Sequence, residues 1–319
     1  MLAILFLCVR CNVDYRRNQE LTTRNSTASC LLPGLVFAFL CFVWGSTWLA
    51  IKVGLGSLPP ITFAGIRFVT ASVLLASYAI AKRIQFPRDA HSWRVMLFLS
   101  LSQIAVPYAL AFWGEQYMTA GLTSLLFATL PFFVVVFAHF VIPGERVTAR
   151  KVSAMLLCFV GVAVIFSREL MFTVNSFWGG IAVVASAGIA GCANVVGKKY
   201  SESINSTVNV VVQMGVGAIV LVMIGLLLEH GMPLNFGPSS VFAILYLAVL
   251  GSTFAFVALY WLFTRMQVTR ISLFTFITPI VAVLLGWLIL GETVDINVAA
   301  GGSLILLGVM LLSRVPATG

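Results

Sequence analysis

The sequence predicts an all-α integral membrane protein, with ten transmembrane helices arranged as two inverted five-helix repeats. Its composition is the first observation: of 319 residues, 61% are hydrophobic and only 9% are charged, and the mean hydropathy is +1.06. Ordinary globular domains carry about 25% charged residues. A soluble fold could not bury this much apolar surface, whereas a bilayer can serve as the solvent of the outer face.

The spacing of apolar residues is the second observation. From Leu31 onward, apolar runs alternate with short polar connections, and most runs have the length of a spanning helix. Several contain Gly or Pro, which transporter helices tolerate. The predicted spans are 32–53, 61–81, 95–113, 120–141, 149–166, 177–197, 206–228, 240–263, 268–290 and 296–313.

Residues 1–30 differ from everything that follows. The apolar run Met1–Val9 is too short to cross lipid, which takes about 20 residues, and Arg10–Cys30 is polar. We interpret 1–30 as a disordered tail or as the product of an upstream start that is not the natural one. It is left out of the predicted fold.

The charges of the connections predict the orientation. If the tail is cytoplasmic, the inner connections carry Lys82, Arg83, Arg88, Arg94, Arg146, Arg150, Lys151, Lys198, Lys199, Arg265 and Arg270. The outer connections carry Glu115, Glu169, Glu229, Glu292 and Asp295, with Arg168 as their only cation. This asymmetry follows the positive-inside rule, so both termini of a multi-pass protein of the plasma or inner membrane should be cytoplasmic. The net charge of +9 forms no stripe that could follow a nucleic acid.

Reactive residue types are sparse. Cys8 and Cys11 form one CxxC without the second pair that a zinc site needs, so neither a metal site nor a cofactor is predicted. The three histidines (His91, His139 and His230) are scattered, and no HExxH or GxSxG motif occurs. No catalytic residue is assigned.

An internal repeat organises the chain as 31–166 and 177–314. Matching residues recur at offsets of 146–148: Trp113 and Pro131 with Trp261 and Pro279, Gly144-Glu145 with Gly291-Glu292, Gly161-Val162 with Gly308-Val309, and Gly45 and Lys52 with Gly191 and Lys198. Five helices is an odd number, so the second copy should enter the membrane in the opposite orientation. Inverted repeats of this kind give secondary transporters their alternating access.

Several short motifs, in their order and spacing, resemble one family. These motifs are Trp44-Gly45-Ser46-Thr47 with Lys52, Pro59-Pro60, Arg67-Phe68, Gly121 through Pro131, Gly144-Glu145-Arg146 and Gly161-Val162. The chain is similar over residues 31–314 to the EamA branch of the drug/metabolite transporter superfamily. The resemblance implies ten helices, cytoplasmic termini, a central cavity and efflux of small metabolites, amino acids or drug-like compounds. We expect the lipid bilayer, a small-molecule substrate and, at most, a second copy as partners.

Substrate contacts should lie near the bilayer midplane, where the repeats face each other. We predict substrate-binding roles for Trp44, Thr47, Gln103, Tyr108, Thr129, Asn194, Ser252, Tyr260 and Thr275. Ser and Thr are equally common as helix-packing residues in membranes, and the aromatic residues could equally be buried in the core. Gln103 differs because its amide needs hydrogen-bond partners in lipid.

Arg67 lies inside the second run, where an arginine costs at least about 2.5 kcal/mol at the bilayer centre. It either attracts an anionic substrate group or locks the outer helix ends, with Glu115 as the expected counter-ion. Pro131 and Pro279 are repeat-related and should bend their helices as part of a gate, a static kink being the alternative. No carboxylate is expected at mid-membrane, which disfavours proton antiport through such a group.

The predicted function is therefore a secondary carrier that exports a small polar or amphipathic metabolite. A membrane-embedded enzyme and a channel are the alternatives, although the sequence shows neither a catalytic constellation nor a selectivity-type repeat.

Overall fold

A computed structural model describes residues 28–143, 147–165, 174–200, 204–290 and 296–313, and the regular structure within these ranges is helical. We label the helical elements α1 (Ala28–Leu55), α2 (Pro60–Ala81), α3 (Ala90–Glu115), α4 (Ala120–Val141), α5 (Ala149–Ile165), α6 (Val174–Tyr200), α7 (Ser206–Leu228), α8 (Pro238–Phe263), α9 (268–290) and α10 (Ile296–Ser313). Residues 1–27 of the predicted tail, both Gly-Glu pairs and Arg314 lie outside the described residues.

The described helices are those of a multi-pass membrane protein. Seven of them, α1–α4 and α6–α8, are long and apolar enough to cross a bilayer, and α9 and α10 add shorter apolar segments. Large apolar side chains such as Leu227 (77% exposed) and Phe242 (68% exposed) cover the outer surface. Such exposure would be unfavourable in water, and lipid removes the cost.

Local capping residues explain where several helices begin. Pro59 and Pro60 precede and open α2, where the missing proline N–H needs no partner. The Asp89 carboxylate accepts a hydrogen bond from the backbone N–H of Ser92 at 2.7 Å, which caps α3 and lowers the pKa of Asp89. Thr119 caps α4 in the same way.

Two helices contain a π-helical stretch, which the sequence analysis did not predict. Ser100–Ala105 interrupts α3 and Val249–Phe254 interrupts α8, at equivalent places in the two repeats. A π-helical turn displaces backbone carbonyl groups from the regular pattern and is frequent at functional sites. Both stretches are therefore repeat-related irregularities of the third helix of a repeat.

The two repeat-related prolines occupy different local structures. In α4 the helix breaks after Phe127 and restarts at Leu130, so Pro131 lies in the first turn of a new segment. The predicted span 120–141 is therefore interrupted just before Pro131. In α9 the break follows Ile271, and Pro279 lies inside the second segment, Phe274–Leu290.

Equivalent helices of the two repeats pack against each other in antiparallel register. In the α5–α10 pair, Gly161 lies against Gly301 and Ile305, whereas Gly308 lies against Ala154 and Cys158. These contacts are reciprocal, since each residue of one set has its counterpart 147 positions away in the other.

The α2–α7 pair shows the same antiparallel register. Gly65 packs on Val222 and Gly225 packs on Thr62, so the residue numbers rise along one helix and fall along the other.

Candidate functional site: a central cavity between the repeats

A cavity lies between the two halves of the chain. The space between its walls, including the part open to solvent, is about 700 Å³. Its walls come from α1, α3, α4, α6, α8 and α9, with Arg67 contributed by α2. The lining residues are Trp44, Thr47, Trp48, Ile51, Arg67, Gln103, Pro107, Tyr108, Ala111, Phe112, Phe127, Leu130, Ser186, Ala190, Asn194, Phe256, Leu259, Phe274, Thr275 and Thr278. Both repeats therefore build one site.

Most of the predicted substrate-binding residues surround this cavity. The structure places Trp44, Thr47, Gln103, Tyr108, Asn194 and Thr275 along its wall. Thr129, Ser252 and Tyr260 are not among the lining residues.

Each of the three residues outside the lining has a structural partner. The Thr129 hydroxyl donates to the carbonyl oxygen of Leu126 at 2.8 Å, as a packing threonine does. Tyr260 is only 2% exposed and exchanges hydrogen bonds with the Gln213 amide, at 2.8 and 3.1 Å. Its hydroxyl is therefore paired with α7, and the structure places Tyr260 outside the lining of this cavity.

Ser252 also has a structural role. The Nε of Arg67 donates to the Ser252 hydroxyl at 2.8 Å, and Nη2 donates to the Gly251 carbonyl oxygen at 3.1 Å. Both acceptors belong to the π-helical stretch of α8, whose irregular backbone presents the carbonyl group to the guanidinium. Arg67 thus ties α2 of the first repeat to α8 of the second.

The guanidinium of Arg67 is buried (1% exposed) against aromatic rings. Its carbon lies 5.0 Å from the ring centroids of both Phe68 and Tyr108 and 5.9 Å from that of Phe112. Such cation–π contacts favour the charged form in an environment with little water. The Nη1 atom has no hydrogen-bond partner, although the side chain lines the cavity.

Glu115 does not bond directly to Arg67 as the sequence had suggested. Its side chain is fully buried and neither carboxylate oxygen has a hydrogen-bond partner. A completely buried acidic side chain was not expected at this helix end, because the sequence gives no measure of how neighbouring helices cover it.

Two amide oxygens complete the unsatisfied polar atoms of the cavity. Gln103 Oε1 and Asn194 Oδ1 are buried and without hydrogen-bond partners. Gln103 lies in the π-helical stretch of α3, and Asn194 lies on α6 of the other repeat. A buried acceptor left unpaired is costly, and native proteins usually keep one only where a water or a ligand satisfies it.

Seven aromatic side chains form a large part of the wall, and sequence reasoning missed most of them. The Trp44 ring lies 4.4 Å from that of Phe274 and 5.7 Å from that of Phe256. Trp48 lies 5.4 Å from Phe127. The chain has 25 phenylalanines, and nothing in the sequence separates those that face the cavity from those that face lipid.

The EamA-like transporter family matches residues 32–167 and 177–314, the two halves that surround this cavity. The chain belongs to this family. Both matched regions coincide with the repeats predicted from the offsets of 146–148, so the duplicated unit and the family unit are the same.

Relatives of this EamA-like chain are named as transporters. The uncharacterized transporter YoaV of Bacillus subtilis is 27% identical over 84% of this chain and 92% of its own length. An uncharacterized transporter of Archaeoglobus fulgidus is 28% identical over 87% of this chain and 96% of its own. The protein is therefore a membrane transporter of the EamA-like family.

A solved structure described as "Crystal structure of protein" shares the fold, with a TM-score of 0.73 over 87% of this chain and 95% of that one. At a sequence identity of 18%, this similarity shows a shared fold alone. Among the described residues of the EamA-like chain, no group of three His, Cys, Asp or Glu side chains could hold a metal ion.

Proposed function

We propose that this protein is a secondary carrier that exports small polar or amphipathic metabolites across the cell membrane by alternating access. The observation that carries the proposal is the shared cavity, three of whose lining residues have a buried polar atom without a hydrogen-bond partner: Arg67 Nη1, Gln103 Oε1 and Asn194 Oδ1. A few unsatisfied polar groups in a largely apolar pocket are typical of a ligand site.

The proposed architecture is ten membrane-spanning helices in two inverted repeats, with both termini cytoplasmic. The antiparallel, reciprocal contacts of α5 with α10 and the antiparallel packing of α2 on α7 support the inversion. An inverted pair can form one set of contacts in two arrangements related by a pseudo-two-fold axis in the membrane plane, so the same cavity can open to either side. The break before Pro131 and the proline at position 279, inside the segment Phe274–Leu290, are the proposed bending points.

The proposed substrate combines three chemical features. An anionic or acceptor group would bind Arg67 Nη1, and N–H or O–H donors would bind the oxygens of Gln103 and Asn194. An apolar body would pack on the aromatic wall that includes Trp44 and Phe256. Amino acids and related amphipathic compounds have these features.

A comparison of metabolites inside and outside cells, with and without the protein, first identifies a candidate substrate. Counterflow of that compound in labelled form, measured in proteoliposomes, then tests the proposal. Saturable counterflow of unchanged compound supports the carrier. Flux that rises linearly with concentration would indicate a channel, and recovery of a chemically altered compound would indicate an enzyme.

A pair of asparagine variants sharpens this test. Asn194→Ala removes a cavity acceptor and should raise KM about tenfold, since a hydrogen bond to a charged donor is lost. Asn209→Ala removes an asparagine that bonds to Gln213 outside the cavity, so it should lower the amount of folded protein and leave KM unchanged. Equal KM values for the two variants would remove Asn194 from the binding site.

A further inference from the structure

Lys52 and Lys198 make the same unusual contact in the two repeats. Lys52 Nζ donates to the carbonyl oxygens of Glu115 at 3.0 Å and Met118 at 2.6 Å, where α3 ends. Lys198 Nζ donates to the carbonyl oxygen of Phe263, where α8 ends. The lysines are 146 positions apart and their acceptors Glu115 and Phe263 are 148 apart, which are the offsets of the repeat. We call these contacts the α1–α3 bridge and the α6–α8 bridge.

A lysine side chain is well suited to bind the carbonyl groups at the end of a helix. The last carbonyl groups of a helix have no partner within the helix and carry the negative end of its dipole. An ammonium group placed there satisfies them while its long side chain reaches across from a neighbouring helix. Lys52 and Lys198 are both half-buried, so water competes with these hydrogen bonds less than it does at an exposed site.

Each bridge borders one end of the cavity. Ile51, next to Lys52, lines the cavity, as does Phe112, about one turn before the Glu115 acceptor. At the other bridge, Asn194 and Leu259 line the cavity, each about one turn before its bridging residue. In the inverted arrangement proposed above, the two bridges lie on opposite faces of the membrane.

We propose that the two bridges are paired gate clamps, each of which holds the cavity closed at its own face and must break when the cavity opens there. The inference rests on the proposed carrier function. An opening at one face separates the ends of α1 and α3, or of α6 and α8, and a lysine side chain cannot span the wider gap. The bridges therefore oppose each other in setting which face is open.

The consequence is a pair of substitutions with opposite effects. Without Lys52 the carrier should favour the state open at the α1–α3 bridge, and without Lys198 it should favour the state open at the α6–α8 bridge. A role in folding alone would weaken the protein in both variants and would shift neither opening preferentially.

Cysteine accessibility in the full-length protein measures the two openings. Ala111→Cys and Ala190→Cys report on the lining near the α1–α3 and α6–α8 bridges respectively, in a background with the six native cysteines replaced. A membrane-impermeant maleimide is applied from each face of oriented proteoliposomes. Lys52→Met should raise labelling at position 111 on the order of tenfold and lower labelling at position 190. Lys198→Met should do the reverse.

Lys199→Met is the matched control, because Lys199 neighbours Lys198 in sequence but is exposed, with its ammonium 5.1 Å from the Tyr200 ring. It should leave both labelling rates unchanged, and the arginine variants of Lys52 and Lys198 should restore part of the native pattern. Labelling that is unchanged, or that moves in the same direction in both methionine variants, would overturn the clamps in a protein that still transports. Failure of the carrier function itself would appear separately, as an absence of saturable transport in the unmodified protein.

Discussion

The three guanidinium nitrogens of Arg67 differ in their hydrogen bonds. Nε donates to Ser252 and Nη2 donates to Gly251, both in α8, while Nη1 is buried without a hydrogen-bond partner. We expect Arg67→Ala to lower the free energy of unfolding by about 2–4 kcal/mol, because buried acceptors lose a charged donor. Arg67→Lys should recover part of both stability and transport, which thermal unfolding and counterflow can measure.

Ser252→Ala separates the two roles of Arg67. It removes one structural hydrogen bond and leaves Nη1 untouched, so stability should fall by about 1 kcal/mol while KM stays the same. Native transport and stability in the Arg67→Ala variant would show that the guanidinium serves neither role.

Glu229 provides a different residue-scale test, since its carboxylate caps a helix of the other repeat. It accepts from the backbone N–H groups of Ile61 and Thr62, both at 2.8 Å, and from the Thr62 hydroxyl at 2.7 Å. Glu229→Gln should destabilise the protein by about 1–2 kcal/mol, because an anion at the N-terminus of α2 becomes neutral. Thermal unfolding in detergent checks the shift.

Glu115→Gln is the natural comparison for that variant. Glu115 is even more buried than Glu229, at 0% against 8% exposed, yet its carboxylate has no hydrogen bond to lose. The Gln variant should therefore be at least as stable as the native protein. A Glu115→Gln variant less stable than Glu229→Gln would contradict this assignment of the two carboxylates.

At the level of residues, the sequence could place polar groups at the right depth but could not assign their partners. Gln103 and Asn194 were predictable because an amide at mid-membrane has few explanations. Tyr260 looked equivalent to Tyr108 in sequence, and only the packing of α7 shows that Gln213 satisfies its hydroxyl. The acceptors of Lys52 and Lys198 are backbone carbonyl groups, which leave no signal in the sequence. The two bridges could therefore not be predicted from the sequence.

At the level of elements, the α5–α10 pair depends on close approach at glycine. A Cβ on Gly308 would lie 2.3 Å from Cys158 Sγ and 2.8 Å from the Ala154 carbonyl oxygen. Gly308→Ala should therefore force the helices apart and cost about 1–3 kcal/mol. Gly302→Ala, in the same helix with nothing within 4 Å, should be neutral, and equal melting temperatures for the two variants would refute the close packing.

Helix existence was more predictable than helix continuity. The apolar runs indicated α1–α4 and α6–α8 to within a few residues at most ends, because lipid thickness fixes how many apolar residues a span needs. The π-helical stretches in α3 and α8 carry no comparable signal. Their positions depend on contacts with α7 and α2, such as Ile104 against Gly217, which are tertiary.

At the scale of the whole molecule, the distribution of Lys and Arg predicts the topology. A reporter fused after Arg314 should be cytoplasmic, whereas one fused after Gly231, in the connection between α7 and α8, should be external. A pair of reporters active on opposite sides of the membrane, such as alkaline phosphatase and green fluorescent protein, measures both. External activity of the Arg314 fusion would break the ten-helix arrangement.

The reciprocal glycine contact of α5 with α10 has a consequence for covalent connectivity. It joins the last helix of one repeat to the last helix of the other. Two further antiparallel helix contacts between the halves are formed by α2 with α7 and by α3 with α6. None of these helix contacts depends on the chain connection between position 165 and position 174. In the inverted arrangement proposed above, the fold is equivalent to two half-length polypeptides that face opposite ways in the membrane. Two separately translated halves would retain the residues that form these helix contacts, and they could associate in the bilayer through them.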